Sequence, residues 1–166
     1  MWRTNRKSFR VSIDARFEDG RDRPIKLKAV DSSDLKVISS LVQDSVVPKS
    51  EISWRSKEHR FALLINRFRW EDNLNLTDSE RVQSLLIFDD VMKVSSKGIN
   101  QENGAGVFSL LTVFWQDLKD ASGRFELVFS GKSVISLEAE CINVLLQDVT
   151  RPYHAPSKKR PNHNDM

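Results

Sequence analysis

Short segments in which every second residue is apolar constrain this chain more than any other feature of its sequence. The clearest pair covers residues 125–129 and 135–139, on either side of Gly131-Lys132. Every second position is apolar there: Phe125, Leu127 and Phe129, then Ile135, Leu137 and Ala139. Successive side chains of an extended chain point to opposite faces, so this alternation predicts strands with one buried face and one solvated face. The short turn that contains a glycine predicts that the two strands form a hairpin.

Further segments of the same kind predict an antiparallel sheet. We expect strands at residues 25–30, 45–48, 51–55, 60–70, 82–88, 91–95 and 107–115, separated by turns at 56–59, 89–90, 100–106 and 117–123. Within the long strand, Phe61, Leu63 and Ile65 share one parity and Phe68 and Trp70 share the other. This change of parity indicates either a bulge near Asn66 or burial on both faces.

Two segments have helical spacing. Asp31-Ser32-Ser33-Asp34 supplies a capping side chain and acidic groups ahead of apolar residues that recur on one face, which predicts a helix over about 32–43. A second helix is expected over about 140–149, because four apolar residues fall at i, i+3, i+4 and i+7 before Arg151-Pro152: Ile142, Leu145, Leu146 and Val149.

These elements predict an α+β domain over residues 24–150, flanked by a basic N-terminal extension at 1–23 and a basic tail at 151–166. Short connections favour a bent antiparallel sheet or partly open barrel, with the C-terminal helix capping one open end. A final hairpin followed by one amphipathic helix resembles the pleckstrin-homology-like architecture. The early helix at 32–43 departs from that plan.

The distribution of charge argues against groove-type nucleic-acid binding. The chain has a formal net charge of +3, but residues 1–23 and 151–166 each carry +3 and the segment between them carries −3. Affinity for phosphate needs clustered positive charge, because it comes from displaced counterions. Weak binding of nucleic acid by the two basic tails stays as an alternative.

The residues needed for common catalytic and metal sites are scarce. Cys141 is the single cysteine, which excludes a disulfide within the chain and any multi-cysteine metal site, and we expect its side chain to lie in the first turn of the closing helix and in the core. The three histidines share no ligand-type spacing. Gly104-Ala105-Gly106 precedes a strand rather than a helix, which indicates a turn and not a phosphate cradle. We therefore expect no catalytic constellation, metal site or cofactor, and no apolar run is long enough to span a membrane.

The most distinctive stretch runs from Arg60 to Glu71, where arginine and aromatic residues alternate. Planar guanidinium groups offer paired donors, so one interpretation is a face that binds anions or peptides. The other is that these arginines pair with acidic residues such as Glu71, Asp72 or Glu51 while the aromatic side chains fill the core. The candidate binding residues are Asp44, Arg60, Asn66, Arg67, Arg69 and Trp70.

Several segments also resemble a family of small alphaproteobacterial proteins known as a domain of unknown function. The resemblance covers about residues 25–163 and is strongest from Arg60 to Glu71 and at the Arg-Pro-x-His ending. The segments that carry it are Asp34-Leu35, Gln43-Asp44, Arg60-Phe61-Ala62, Asn66-Arg67-Phe68, Trp70-Glu71, Leu110-Leu111, Leu137-Glu138, Glu140-Cys141 and Arg160-Pro161-Asn162-His163. It implies an intracellular bacterial protein and brings no known activity or substrate.

Our leading hypothesis is a non-enzymatic cytoplasmic binding or scaffold domain that meets another protein through an exposed sheet edge or the arginine face. A second hypothesis is a small enzyme, or a binder of small anionic ligands, with a site near the Arg60–Glu71 strand. That site would need Asp44, Arg60, Asn66, Arg67 and, from the tail, His163 to converge in one pocket. The sequence does not determine the oligomeric state.

Overall fold

The computed structural model describes residues 23–71, 80–99 and 106–154, and this part of the chain contains one α-helix and eleven strands. The helix α1 covers Ser32–Val42. The strands are β1 (Lys26–Ala29), β2 (Ser45–Pro48), β3 (Ile52–Arg55), β4 (Arg60–Phe68), β5 (Glu80–Phe88), β6 (Val91–Lys97), β7 (Val107–Asp117), β8 (Gly123–Phe129), β9 (Ser133–Ala139), β10 (Val144–Asp148) and β11 (Tyr153–His154). Within the same residues, no helix has the length and apolar character that a membrane crossing requires.

All strand pairs are antiparallel and form one open sheet in the order β1-β10-β5-β4-β2-β7-β8-β9-β6. The two remaining strands join the side of this path, β11 on β5 and β3 on β4. β4 therefore carries two partners on one edge: β3 along its first half and β2 at Asn66. The predicted antiparallel sheet is confirmed, and so is the β8–β9 hairpin with Gly131 at φ 75° in its turn.

The sheet bends so that its inner face meets itself. Phe88 of β5 and Phe125 of β8 lie in strands that are not neighbours, yet their ring centroids are 5.0 Å apart. Phe61 extends this row on one side at 6.3 Å from Phe88, and Trp115 extends it on the other at 4.7 Å from Phe125. These tilted and edge-to-face contacts join both halves of the sheet into one apolar core.

The helix α1 forms as its sequence predicts. The Asp31 side chain accepts a hydrogen bond of 2.8 Å from the Asp34 backbone N–H, which caps the free amides of the first turn. Three apolar residues on one face are buried: Leu35, Ile38 and Val42. The helix also satisfies part of a strand edge, because the Val113 N–H of β7 donates to Ser39 Oγ at 3.0 Å beyond the point where β2 pairing stops.

The predicted C-terminal helix is wrong. Residues 144–148 form β10, which is hydrogen bonded to β1 on one side and β5 on the other. Val144, Leu146 and Asp148 point inward and are buried, whereas Val149 is exposed. A short apolar run satisfies both helical and strand periodicity, and here two open strand edges offer backbone partners that a helix would leave unused. A pleckstrin-homology-like plan with a capping helix is therefore not seen in the described residues.

Two further local expectations are resolved by this arrangement. The prediction that Cys141 is a core residue in a helical turn is wrong, because Cys141 is exposed in the connection before β10. β4 pairs with β5 without a shift in register from Phe61 to Phe68, so the change of parity reflects burial on both faces and not a bulge. The predicted turn at 100–106 lies outside the described residues except for Gly106, as do residues 1–22 and 155–166 of the two predicted tails.

The position of β10 predicts unequal effects of two adjacent truncations. Leu146→Ala removes a fully buried side chain and is expected to lower the free energy of unfolding by about 3 kcal/mol. Leu145→Ala removes a half-buried side chain that points away from the core and is expected to cost about 1 kcal/mol. Urea unfolding followed by circular dichroism measures both values. Equal losses would indicate one helical face instead of a strand.

Candidate functional site

The guanidinium group of Arg67 is fully buried at the inner face, where β4, β5 and β10 lie side by side. Its Nε donates to Asp148 Oδ1 at 3.0 Å and to Ser84 Oγ at 3.2 Å, and its Nη2 donates to Asp148 Oδ2 at 2.9 Å. Ser84 in turn donates to Asp148 Oδ1 at 2.6 Å. The three side chains therefore form one buried network that crosses three strands.

A second carboxylate completes the shell around Arg67. Glu71 accepts from Nη1 at 2.8 Å and from Nη2 at 2.7 Å, and the Phe68 carbonyl lies 3.5 Å from Nη1. Each of the three guanidinium nitrogens thus has at least two acceptors within the protein. Since a guanidinium group has only five N–H donors, none is directed at an external ligand.

The same network controls the charge of Asp148. Burial alone would raise the pKa of Asp148, but hydrogen bonds from Arg67, Ser84 and the Ile25 backbone N–H outweigh it and hold that pKa below its ordinary value. Asp148 also links the residue that precedes β1 to the centre of the sheet, because Ile25 donates to it at 2.9 Å. We call these residues the Arg67 cluster (Arg67, Glu71, Ser84 and Asp148). The cluster connects β4, β5 and β10 near the C-terminal end of β4.

Two other predicted residues at the end of β4 also bond to the protein itself. Arg69 is nearly buried and donates to Glu80 Oε2 at 2.6 Å. The indole N–H of Trp70 donates to the Gln43 carbonyl at 3.1 Å, which ties the segment after β4 to the end of α1. Both side chains therefore have structural partners at this end of the sheet.

Asn66 and Asp44 lie at the same end of the sheet. The Tyr153 hydroxyl of β11 donates to Asn66 Oδ1 at 2.8 Å, and Arg81 donates to the Asn66 carbonyl at 3.1 Å and approaches the Asp44 carbonyl at 3.4 Å. Asp44 has a positive φ of 59°, and its N–H donates to the Leu110 carbonyl at 2.7 Å, so it forms the tight connection into β2. These contacts hold β11 and the α1–β2 turn against the sheet.

Arg60 lies on the face of β4 opposite Arg67, and it is six positions along the strand from Asn66, which shares its outward face. It is seven positions before Arg67, a distance of about 23 Å along an extended strand, and its parity places its side chain outside. Arg60 is exposed and forms a two-point ion pair with Asp89, at 2.7 Å from Nε and 3.2 Å from Nη2. The structure therefore does not bring Arg60 into one pocket with Asn66 and Arg67, and His163 lies outside the described residues.

A concave cleft of about 360 Å³ surrounds Arg60 on the outside of β3, β4 and β5. Its floor is apolar and half-buried: Ala62, Leu64, Leu85 and Ile87. Its rim is polar: Ser50, Glu51, Ser53, Arg55 and Arg60. Strand register continues this surface from Ser53, Ala62 and Ile87 to Leu145 of β10 and then to Lys28 of β1. We call these floor and rim residues, with Leu145 and Lys28, the outer face.

Sequence reasoning missed Asp148, Ser84 and the floor of the outer face. Asp148 follows Gln147 and, before it, three apolar residues. A strand assignment for residues 144–148 would have placed the Asp148 carboxylate inward, where a buried positive partner is required. Leu85 and Ile87 are the outward residues of β5, and the strand predicted at 82–88 already implied that large apolar side chains occupy both its faces. That pattern was the available signal for an additional contact surface.

The described residues offer little for covalent or metal chemistry. No group of three His, Cys, Asp or Glu side chains within residues 23–71, 80–99 and 106–154 is arranged to hold a metal ion. Partial burial and then a hydrogen bond to Asp90, at 3.6 Å from Sγ, raise the pKa of Cys141, which disfavours a thiolate nucleophile. What the arrangement does provide is a braced sheet with a partly apolar outer face that no element of the described residues covers.

Comparison with known proteins identifies the class of protein to which the chain belongs. The sequence profile of a protein family of unknown function, DUF2948, matches residues 25–163. The chain therefore belongs to this family, and the resemblance found in the sequence is confirmed. No curated protein and no solved structure matches the chain.

The Arg67 cluster predicts a loss of stability in acid. The folded pKa of Asp148 lies below its unfolded value of about 3.9, so the stabilisation is complete above that pH and is lost as the pH falls through the folded pKa. Asp148→Asn is expected to lower the free energy of unfolding by about 3 kcal/mol at pH 7, because it leaves a buried cation with one fewer anion. The variant should also lose less stability than the wild type between neutral and acidic pH.

Asp89→Asn is the matched control, because it breaks an ion pair that is open to solvent on the opposite face. Its expected cost is about 0.5 kcal/mol. Urea unfolding at a series of pH values measures both variants. If Asp89→Asn lowers the free energy of unfolding as much as Asp148→Asn does, burial does not make the Arg67 cluster more stabilising than an exposed ion pair.

Proposed function

We propose that this protein is a non-enzymatic binding domain, located in the cytoplasm, whose ligand is another protein that docks on the outer face. The observation that carries the proposal is the apolar floor of a concave cleft, on a side of the sheet that no other part of residues 23–71, 80–99 and 106–154 covers. Ala62, Leu64, Leu85 and Ile87 keep part of their surface in water, although a solvated sheet face is usually polar. An apolar surface rimmed by polar residues is typical of protein contacts.

The charges around the floor favour an acidic partner. Lys26 and Lys28 of β1 lie at one side of the outer face, and Arg55 lies at the other, on the rim of the cleft. Glu51 is the single acidic residue on that rim, and Arg55 and Arg60 are partly neutralised by Glu58 and Asp89 respectively. The net positive border complements an amphipathic segment with apolar residues on one side and carboxylates at its edges. Residues 1–23 and 151–166 of this chain are themselves basic and match the border poorly.

The competing hypotheses receive less support from the geometry. A binder of small anions would direct unpaired cationic donors into a cleft, whereas Arg67 is saturated by Glu71 and Asp148. The enzyme hypothesis required Arg60, Asn66 and Arg67 to converge, and Arg60 and Arg67 lie on opposite faces of β4. Weak nucleic-acid binding by the tails concerns residues that the structure mostly does not describe, and it stays an alternative.

Site-specific photocrosslinking tests the outer face. With p-benzoylphenylalanine in place of Leu64, irradiation in the native host is expected to yield one discrete partner adduct, because Leu64 lines the floor. The same probe in place of Val107, an exposed apolar residue of β7, is the control and should yield no such adduct. No adduct from position 64, or the same adduct from both positions, would contradict the proposal.

The purified partner then allows a charge test. Arg55→Glu reverses an exposed rim charge and is expected to weaken binding about fivefold, whereas Lys119→Glu, in the turn before β8, should leave the affinity unchanged. Isothermal titration calorimetry at low salt measures both dissociation constants. Equal affinities for the two variants would show that the basic border does not select the partner.

A further inference from the structure

Two strand edges flank an opening in the sheet. Among the described strands, β3 is hydrogen bonded only to β4 and β6 only to β9, so each has a second edge without a strand partner. Side chains from both strands line the same space, including Ile52 and Trp54 of β3 and Val94 and Ser96 of β6. We call this opening between β3 and β6 the seam.

The seam is closed at one end and open along its length. The Val91 N–H at the start of β6 donates to the His59 carbonyl at 2.9 Å, in the turn that follows β3. From this anchor β6 continues without pairing to β3, and a cavity of about 260 Å³ lies between the two strands. Ile99 and Ile135 complete its apolar lining together with Phe61 at its base. The strands therefore stand beside one another without forming a ladder.

The exposure of β6 shows that its outer part projects beyond the core. Val94 is half-buried in the seam, whereas the last three residues, Ser95, Ser96 and Lys97, are exposed whichever way they point. Lysines are the common protection of strand edges against unwanted pairing, and β6 carries Lys93 and Lys97 with no acidic residue. Such an edge repels basic chains and accepts acidic ones.

We propose that the seam binds an extended acidic peptide segment of another protein as an additional strand. The backbone of the segment would pair with a free edge of β6 or β3, and alternate apolar side chains would enter the cavity. Its acidic residues would meet Lys97 and Lys93, of which Lys93 also lies 4.0 Å from a carboxylate oxygen of Glu138 on β9. A cavity of about 260 Å³ is small for a whole drug-sized ligand, for which about 300–1,000 Å³ is usual, but it accepts a few side chains from a chain laid across it.

The charges distinguish this occupant from two others. A second copy of the chain would bring Lys93 and Lys97 of its own β6 against the same lysines, so edge-to-edge pairing of two β6 strands is electrostatically unfavourable. The N-terminal and C-terminal segments of this chain, residues 1–23 and 151–166, are net basic and repelled for the same reason. An acidic segment from a different protein fits both the edge and its charge. This inference does not depend on the outer face.

Selection from a phage-displayed library of random twelve-residue peptides, with the full-length protein as target, tests the proposal. We expect enriched peptides to alternate apolar and acidic residues. Two synthetic copies would each carry N-methyl groups on every second backbone amide, in the two alternate patterns. The pattern that methylates the amides facing the strand edge should weaken binding at least about tenfold, because it removes hydrogen bonds and retains the side chains. Hydrogen exchange should show new protection of residues 93–97 in the complex.

Variants separate the seam from other surfaces. Lys97→Glu is expected to weaken the selected peptide about fivefold, Lys119→Glu should have no effect, and Leu64→Ser on the outer face should also have no effect. Circular dichroism and urea unfolding establish that each variant is folded. The proposal is overturned if no alternating acidic peptide is enriched, if both N-methylated registers bind as tightly as the parent, or if protection appears outside β3 and β6. It is also overturned if sedimentation shows a dimer of the protein that the peptide dissociates, because a second copy would then be the occupant of the seam.

Discussion

Almost every strand of this protein presents apolar side chains to one face of a single sheet, and that face can be buried only if the sheet bends onto itself. The contact between Phe88 and Phe125 is the clearest expression of this constraint, because it joins strands that share no hydrogen bonds. The bend brings β6, at one end of the sheet, beside β3, which pairs with β4 off the main strand order, without pairing the two strands. Both the apolar core and the seam between β3 and β6 are consequences of that incomplete closure.

Near the C-terminal end of β4, the inner face of the sheet carries charged side chains instead of apolar ones. Burying Arg67 is tolerable only because Asp148 and Glu71 both bind it in two-point geometry, while Ser84 also accepts from Nε and the Phe68 carbonyl lies 3.5 Å from Nη1. Such a network tolerates no change of register, since a shift by one residue would turn Arg67 toward solvent and leave Asp148 buried without a cation. The ion pair between Arg67 and Asp148 therefore fits this register of β10, β5 and β4 and not one shifted by a residue.

The alternation of inward and outward side chains along β4 determines which of its residues are available for binding. Its odd-numbered residues, ending in Arg67, belong to the interior, and its even-numbered residues, beginning with Arg60, face outward. The Arg60–Glu71 stretch, which was the strongest functional signal in the sequence, thus supplies a structural brace and a separate contact surface. The same alternation leaves Ala62 and Leu64 on the outside, where no described element covers them.

What the sequence determined by itself was local. The alternation in residues 125–139 was sufficient for the β8–β9 hairpin, and the capping sequence at Asp31 was sufficient for α1, because the interactions that decide both lie within a few residues. Tertiary structure decided the rest. Residues 144–148 became a strand because distant β1 and β5 offered two open edges. Arg67 became a brace because Asp148, 81 residues away, met it in the interior, and no local pattern specifies a partner at that separation.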